Sequence, residues 1–90
     1  MELIYDDDKN QANIDKHSIN FEQVADFNFK SALTKIDERN DYGEIRYVSC
    51  GLIANRLFIL CFVIRHEKYR IISLRKANKR EVKTYENTNK

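Results

Sequence analysis

The chain has 90 residues, 42% of them hydrophobic, and its 16 Lys and Arg side chains outnumber its 14 Asp and Glu by two. This length predicts one domain spanning residues 1–90, with a core that is small relative to its surface. The longest apolar run, residues 57–64, is far shorter than the roughly 20 residues of a membrane-spanning helix. The acidic N-terminus, MELIYDDDK, is unlike a secretory signal, so we expect a cytoplasmic protein with no membrane association.

The N-terminal third predicts a short strand followed by two helices. Residues 3–5 are apolar enough for an edge strand, and the aspartates at 6–8 supply the cap and first turn of a helix that ends near His17. Asn20 and Gln23 have the spacing of a capping box, which predicts a short second helix with an apolar stripe.

Four polar side chains of the first helix recur at helical spacing and therefore share one face: Lys9, Asn13, Lys16 and His17. Two interpretations stay open. The face is solvated, with His17 favourably placed at the C-terminal end of the helix dipole. Alternatively, Lys16 and His17 reach over the edge of the sheet to a phosphate.

The C-terminal half has the pattern of strands. Residues 45–53, 57–64 and 69–74 are rich in Val, Ile, Phe and Tyr and predict a three-stranded antiparallel meander. Ala54 and Asn55 fit a two-residue hairpin loop, because Asn tolerates the positive φ that such turns require.

This hairpin register determines where the two cysteines lie. It pairs Cys50 with Ile59 and places Cys61 diagonally on the same face, further from Cys50 than a disulfide normally spans. We therefore expect both cysteines to be reduced core residues.

Residues 78–86 predict a C-terminal helix, which completes an α+β fold with a small antiparallel sheet. Strand 57–64 is apolar on both faces, so both faces of the sheet need cover. The two N-terminal helices can cover one face, whereas the C-terminal helix offers little more than Val82 and Tyr85 for the other. Either that helix suffices, or a partner chain covers part of the second face.

Positive charge is concentrated in the C-terminal half, where four arginines lie within or at the ends of strands: Arg46, Arg65, Arg70 and Arg75. The register places Arg46 and Arg65 near each other on one face. Such guanidinium groups can clamp a phosphate or stabilise a charged transition state. Alternatively, they pair with the nearby carboxylates of Glu44, Glu67 and Glu81.

Strand alternation limits how many cations share a surface. In a regular strand Arg70 points away from Ser73 and Arg75, so the basic segment 69–86 should not act as one patch.

No serine triad, carboxylate pair, phosphate-binding glycine loop or metal-ligand spacing is present, so we expect no cofactor and no metal. Cleavage of RNA needs only an aligned 2′-hydroxyl, proton transfer and neutralisation of charge. His17 is suited to the proton transfer and the arginines to the charge. Tyr47, Tyr69 and Tyr85 can stack on bases, although such rings more often pack in cores or rims.

Three blocks of the sequence resemble, in order, the opening, central and C-terminal blocks of BrnT-type toxins: YDDDKNQANIDKHSINFEQ, DYGEIRYVSCGLI and YRIISLRKANKREVKTYE. The combination that carries the resemblance is Asn13, Lys16-His17, Asp41-Tyr42-Gly43-Glu44 and Arg70-Ile71-Ile72-Ser73. The chain departs from the family pattern at Tyr5, Ser18, Ala54-Asn55 and His66. Of these, His66 matters most, because it adds a second imidazole near Arg65.

The resemblance implies a RelE-like fold and a ribonuclease toxin of a type II toxin–antitoxin pair that cleaves RNA and inhibits translation. It also implies a BrnA-like antitoxin that neutralises the toxin in a heterotetramer of two toxins and two antitoxins. Operator DNA is expected to contact this complex only through the antitoxin. A competing hypothesis is a non-catalytic binding module that docks such a partner through its basic face.

Under the ribonuclease hypothesis, the candidate catalytic residues are His17 for proton transfer, Arg65, Arg75 and Arg80 for phosphate binding or transition-state charge, and Tyr85 for a base or the reacting group. The candidate RNA-binding residues are Lys16, Arg46, Arg70, Ser73, Lys76 and Lys79.

Overall fold

A computed structural model describes residues 2–39 and 43–88, which form helices around a five-stranded sheet. The elements in chain order are β1 (Glu2–Ile4), α1 (Asp7–His17), a 3₁₀ helix (Phe21–Asp26), β2 (Leu33–Ile36), β3 (Tyr47–Ile53), β4 (Arg56–Arg65), β5 (Lys68–Lys76) and α2 (Lys79–Thr88). The predicted α+β class is confirmed. The sheet has the order β1-β5-β4-β3-β2 and is mixed, because β1 runs parallel to β5 and the other pairs are antiparallel. No helix within the described ranges is long and apolar enough to cross a bilayer.

The predicted meander is β3-β4-β5, and its first hairpin has the predicted register. Ile53 pairs with Arg56 across the turn. The positive φ of that turn falls on Ala54, at 54°, and not on Asn55. The expectation that Asn supplies the left-handed conformation is therefore wrong.

Strand β2 has no counterpart in the sequence prediction. It pairs antiparallel with β3, with Leu33 opposite Cys50 and Ile36 opposite Tyr47. Only four residues long and mostly exposed, it has too little apolar alternation to mark a strand. Its presence extends the meander to four strands.

The N-terminal segments cover one face of the sheet, here called the helix-covered face. The second helix is a 3₁₀ helix whose cap is a bond from the Glu22 N–H to the Asn20 side chain (2.9 Å), and not the predicted capping box with Gln23. It buries Phe21 and Val24 against the sheet. Leu60, Ile71 and Leu74 of the sheet are also fully buried and pack in the same core cluster. Burial of each such side chain stabilises the fold by roughly 1.5–3 kcal/mol.

The polar stripe of α1 is only partly solvated. Lys9 and Lys16 are exposed and His17 is half-buried, but Asn13 is 6% exposed and lies against the sheet. The solvated-face interpretation is therefore wrong for Asn13.

Asn13 attaches α1 to the edge of β5 by hydrogen bonds that imitate a neighbouring strand. Its side-chain oxygen accepts from the Leu74 N–H (3.1 Å), and its amide donates to the Leu74 carbonyl (2.9 Å) and the Ile19 carbonyl (3.0 Å). Because β1 reaches only as far as Arg70 along β5, Leu74 lies on an open edge, and Asn13 satisfies both of its backbone groups.

A β-bulge in β5 changes which of its side chains point to the face opposite the helix-covered face. Phe62 lies opposite Ile71, but Cys61 lies opposite Ser73, so Ile72 is an extra residue in β5. The bulge shifts the alternation by one position.

Arg70 and Arg75 consequently share one face. They lie opposite Val63 and Ile59, which are four residues apart on β4 and so point to the same side. The prediction that Arg70 points away from Ser73 and Arg75 is wrong, because the bulge lies between them.

Helix α2 follows β5 directly and begins one residue later than predicted. Asn78 and Glu81 form a reciprocal capping box: the Glu81 N–H donates to the Asn78 side chain (2.8 Å) and the Asn78 N–H donates to the Glu81 carboxylate (2.9 Å). None of its ten residues is buried. It therefore covers the second face of the sheet only at one side.

Candidate functional site

The face of the sheet opposite α1 carries an open cleft of about 1020 Å³. Side chains of β3, β4 and β5 form its floor, β2 and residues 37–39 form one wall, and α2 forms the other. Five cationic and three acidic side chains line it: Lys35, Arg39, Arg46, Arg75 and Arg80, with Asp37, Glu38 and Glu81. The cleft is thus a polar surface laid over an apolar sheet.

The cysteines lie in the floor of this cleft, where they are half-buried and unpaired. The prediction that they are reduced is confirmed. The prediction that they are core residues is wrong, because both lie on the cleft face and not on the helix-covered face. Burial raises the pKa of both thiols, and the charge of Glu81 raises that of Cys50 further. Both are therefore protonated near neutral pH and unsuited to nucleophilic attack.

Arg75 and Glu81 form a bidentate ion pair between β5 and α2. Two guanidinium nitrogens donate to the two carboxylate oxygens at 2.8 Å each. The bonds from Arg75, opposed by burial and helped by the Asn78 N–H and the charge of Lys35, lower the pKa of Glu81. They also raise the pKa of Arg75. The pairing alternative considered from sequence is confirmed for Arg75.

The opposite wall of the cleft holds a second bidentate pair, in which Arg39 donates to Asp37 at 2.8 and 2.9 Å. The Asp37 side chain is 3% exposed, whereas that of Arg39 is 78% exposed. The Asp37 N–H donates to the Arg46 carbonyl, which ties this wall to the start of β3. Charge from Arg46, Asp37 and Arg39 all reaches the Cys61 thiol on the floor.

Five of the sequence-predicted site residues line this one cleft: Arg46, Ser73, Arg75, Arg80 and Tyr85. Arg80 is exposed and, unlike Arg75, has no carboxylate partner in residues 2–39 and 43–88. The Tyr85 hydroxyl donates to the Ser31 carbonyl (3.0 Å), which fastens α2 to the segment before β2. Ser73 reaches the cleft because of the bulge in β5.

His17 lies outside the cleft lining but within electrostatic range of it. Burial, the charge of Lys16 and the charge of Arg75, in that order, lower the pKa of His17. The imidazole is therefore neutral at pH 7, as a general base must be. Because Arg75 lines the cleft and its charge reaches His17, we place the imidazole near the side of the cleft formed by β5, here called the β5 rim.

Arg65 and Arg70 do not line the cleft; Arg65 forms an ion pair with Glu44, and the charge of Arg70 also acts on that carboxylate. Arg65 donates to the Glu44 carboxylate at 2.8 and 3.0 Å in an exposed pair. That bond, opposed by burial and helped by the charges of Arg65, Arg46 and Arg70, lowers the pKa of Glu44. The charges of Arg46 and Arg65 thus both act on Glu44, which agrees with the prediction that the two arginines lie near each other, and only Arg46 also borders the cleft.

The remaining predicted cations are peripheral. Lys16, Lys76 and Lys79 are exposed and absent from the cleft lining. His66 lies in the β4–β5 turn with a φ of 50° and is also outside the cleft. The structure therefore separates His66 from the group that converges there.

Sequence reasoning missed Glu81 as a site residue, along with Lys35, Asp37 and Arg39. The spacing of Asn78 and Glu81 is the signal that could have indicated a capped helix start directly after Arg75. Lys35 lies in β2, and Asp37 and Arg39 come directly after it, so these three could not be placed at the site without that strand, which the sequence did not predict.

The arrangement suits the binding and chemistry of a phosphodiester. Planar guanidinium groups at the cleft can bind phosphate oxygens, an aromatic ring stands on the α2 wall, and a neutral imidazole lies near the rim. Its composition is that of an acid–base site supported by cationic side chains.

Comparison with known proteins gives one finding. A family model described as the ribonuclease toxin BrnT of a type II toxin–antitoxin system matches residues 5–81. A search of curated proteins found no match. Of the motif residues behind the resemblance, Asp41 and Tyr42 lie outside the described residues. Because the match spans most of the 90 residues, the chain belongs to the BrnT family of ribonuclease toxins of type II toxin–antitoxin systems.

Proposed function

We propose that this chain is a metal-independent endoribonuclease that cleaves RNA in the cleft and thereby inhibits translation. The observation that carries the proposal is the convergence of Arg46, Ser73, Arg75, Arg80 and Tyr85, from three separate parts of the chain, on one open cleft. Membership of a ribonuclease toxin family supports the same conclusion.

The reaction is an internal transfer of the phosphoryl group. The ribose 2′-oxygen attacks the adjacent phosphorus while the bond from phosphorus to the 5′-oxygen breaks, which leaves a 2′,3′-cyclic phosphate and a 5′-hydroxyl. A base takes the proton of the 2′-hydroxyl and an acid supplies one to the leaving oxygen. Negative charge builds on the phosphoryl oxygens between these steps and requires cationic neighbours.

The side chains divide these tasks by position. His17, neutral at pH 7 and near the β5 rim, is the candidate for proton transfer. Arg75 and Arg80 bind the phosphate and stabilise its charge, and Tyr85 contacts a base or the reacting group. We assign no catalytic step to Arg65, because it lies in its own ion pair outside the cleft lining; the catalytic role predicted for it from the sequence stays a prediction.

A type II toxin family implies an antitoxin partner. We propose a BrnA-like antitoxin that covers the open sheet face with an acidic segment, in a heterotetramer of two toxins and two antitoxins that contacts operator DNA through the antitoxin alone. The excess of cationic over acidic side chains in the cleft and the lack of buried residues in α2 favour such a partner.

The test is incubation of purified chain, free of antitoxin, with a labelled RNA and excess chelator. We expect cleavage products that end in a 2′,3′-cyclic phosphate, and loss of cleavage in Arg75→Ala. Arg56→Ala, an exposed arginine outside the cleft lining, is the matched control and should cleave normally. Full-length RNA after incubation with excess wild-type protein would contradict the proposal.

One observation favours the competing function, a non-catalytic module that docks an acidic partner. Two of the predicted catalytic arginines, Arg65 and Arg75, are already bound by glutamates. Under that function, RNA remains intact while an acidic antitoxin-type peptide binds the cleft. The same incubation therefore separates the two functions.

A further inference from the structure

We propose that Glu81 is the built-in occupant of a phosphate-binding site on Arg75, and that a backbone phosphate of RNA replaces its carboxylate when RNA enters the cleft. The inference rests on the proposed function for the identity of the ligand. It adds a phosphate-binding site at Arg75 that, when no RNA is bound, holds the carboxylate of Glu81 from α2.

The geometry of the pair carries the inference. A carboxylate and a phosphate both accept two parallel N–H bonds from one guanidinium group, so they compete for the same two donors. Glu81 accepts from the end-on pair of donors of Arg75, Nη1–H and Nη2–H, at 2.8 Å each. While it does so, a phosphate cannot bind Arg75 through this end-on pair of donors.

The pair is placed where substrate has access. The side chain of Arg75 is 38% exposed and that of Glu81 is 27% exposed, and both line the open cleft. A fully buried pair would be costly to break, whereas solvent can screen the partners of this one as they separate.

The contacts of α2 allow the Glu81 carboxylate to separate from Arg75 while the helix stays folded. No residue of α2 is buried, and its polar attachments to the rest of the chain include Glu81 on Arg75 and Tyr85 on Ser31. The capping box keeps Glu81 bonded to Asn78 whether or not Arg75 is its partner. Release from Arg75 therefore leaves the helix start intact.

A different role for Glu81 makes the opposite prediction. If the carboxylate only positions Arg75 for catalysis, its removal weakens cleavage and leaves phosphate contacts unchanged in number. If it occupies the phosphate site, its removal strengthens RNA binding and adds a phosphate contact.

The experiment measures binding of a single-stranded oligonucleotide with 2′-O-methyl riboses, which cannot be cleaved by internal attack, as a function of salt. The variants are Glu81→Gln, Arg75→Ala and the double variant of both. Gln keeps the size of the side chain and can serve in a capping box, but carries no charge. Glu38→Gln is the matched control, because Glu38 lines the same cleft and makes no ion pair among the described residues.

We expect Glu81→Gln to bind several-fold more tightly than wild type at low salt, with a plot of log K against log salt that is steeper by about 0.7, the value for one added contact to a single strand. Glu38→Gln should leave the slope unchanged. In the Arg75→Ala background, Glu81→Gln should have no effect on the slope, because the donors it would free are absent.

Three outcomes would count against these claims in different ways. Wild-type binding with an unchanged slope in Glu81→Gln would overturn this inference and leave the proposed function standing. An equal change in Glu81→Gln and Glu38→Gln would also overturn it, because the effect would then be general charge. Failure of every variant to bind the oligonucleotide would overturn the proposed function and this inference together.

Discussion

The two faces of the sheet differ in how their polar groups are satisfied. On the helix-covered face Leu60, Ile71 and Leu74 are fully buried, and the Asn13 side chain, which holds α1 against β5, forms its hydrogen bonds with backbone groups. On the cleft face, each ion pair keeps at least one partner open to solvent: Arg75 and Glu81 are both partly exposed, and Arg39 is exposed although its partner Asp37 is buried. The first arrangement fixes the fold, and the second leaves charges available to a ligand. Stability and chemistry should therefore respond to different substitutions.

The largest stability effect is expected at Asn13. Asn13→Ala leaves the Leu74 N–H and carbonyl and the Ile19 carbonyl without their partners in a buried place, which should lower the free energy of unfolding by about 3 kcal/mol. Urea unfolding followed by circular dichroism measures it. Gln11→Ala, on the exposed side of the same helix, should change it by less than about 0.5 kcal/mol. A loss at Asn13 no larger than that at Gln11 would remove the strand-like role assigned to Asn13.

A second effect on the helix-covered face is expected at Gly51. A Cβ added there would lie 2.6 Å from the Phe27 ring, so the buried ring must shift. Gly51→Ala should cost about 1–3 kcal/mol of unfolding free energy. Combining it with Phe27→Leu should cost less than the sum of the two single changes, because the smaller side chain makes room. Strict additivity in the thermal or urea unfolding of the double variant would show that the ring is not the obstacle.

These two positions also show what the sequence could and could not predict. The Val, Ile, Phe and Tyr content of residues 45–74 is enough to predict the meander, and the two-residue loop at Ala54-Asn55 is enough to predict its first register. Asn13 could not be identified as a docking residue, since a polar residue on a helix is ordinarily solvated and its partner Leu74 is distant in sequence. The RelE-like label and the single-domain organisation stay predictions.

The cleft was predictable by residue type but not by arrangement. Charge and family resemblance predict Arg75, Arg80 and Tyr85 as site residues, and all three line the cleft. Their surroundings depend on a bulge at Ile72 and on the short strand β2. Both arise from pairing between strands, which leaves almost no local signal in the sequence.

On the cleft face, acid should affect the Glu81 pair. The folded state lowers the pKa of Glu81 from its ordinary value near 4.5, so the pair contributes stability above that pH and loses it as pH falls through the folded pKa. We expect the urea midpoint of wild type to fall more between pH 6 and pH 3 than that of Glu81→Gln. Glu44→Gln removes the more exposed pair with Arg65. Its urea midpoint should therefore fall between pH 6 and pH 3 by nearly as much as that of wild type. Identical acid profiles for wild type and Glu81→Gln would show that the pair adds no stability.

The smallest effect concerns the link between His17 and the cleft. The pKa of His17, followed by NMR, should lie below 6.5 and rise when either neighbouring cation is removed. Lys16→Gln should raise it more than Arg75→Gln, in the order of the two contributions. If the pKa of His17 does not change in Arg75→Gln, His17 is not electrostatically linked to the cleft, and its assignment as the base is contradicted.

The most direct test of a cleft-face active site is the single-turnover rate of RNA cleavage by Arg80→Ala and Arg65→Ala, measured with chelator present and with both variants confirmed folded. Arg80 lines the cleft without a carboxylate partner among the described residues, and Arg65 lies in an exposed pair outside it. We predict a fall of about 10²–10³-fold for Arg80→Ala and a rate close to wild type for Arg65→Ala. A large fall for Arg65→Ala with Arg80→Ala unaffected would place the active site elsewhere.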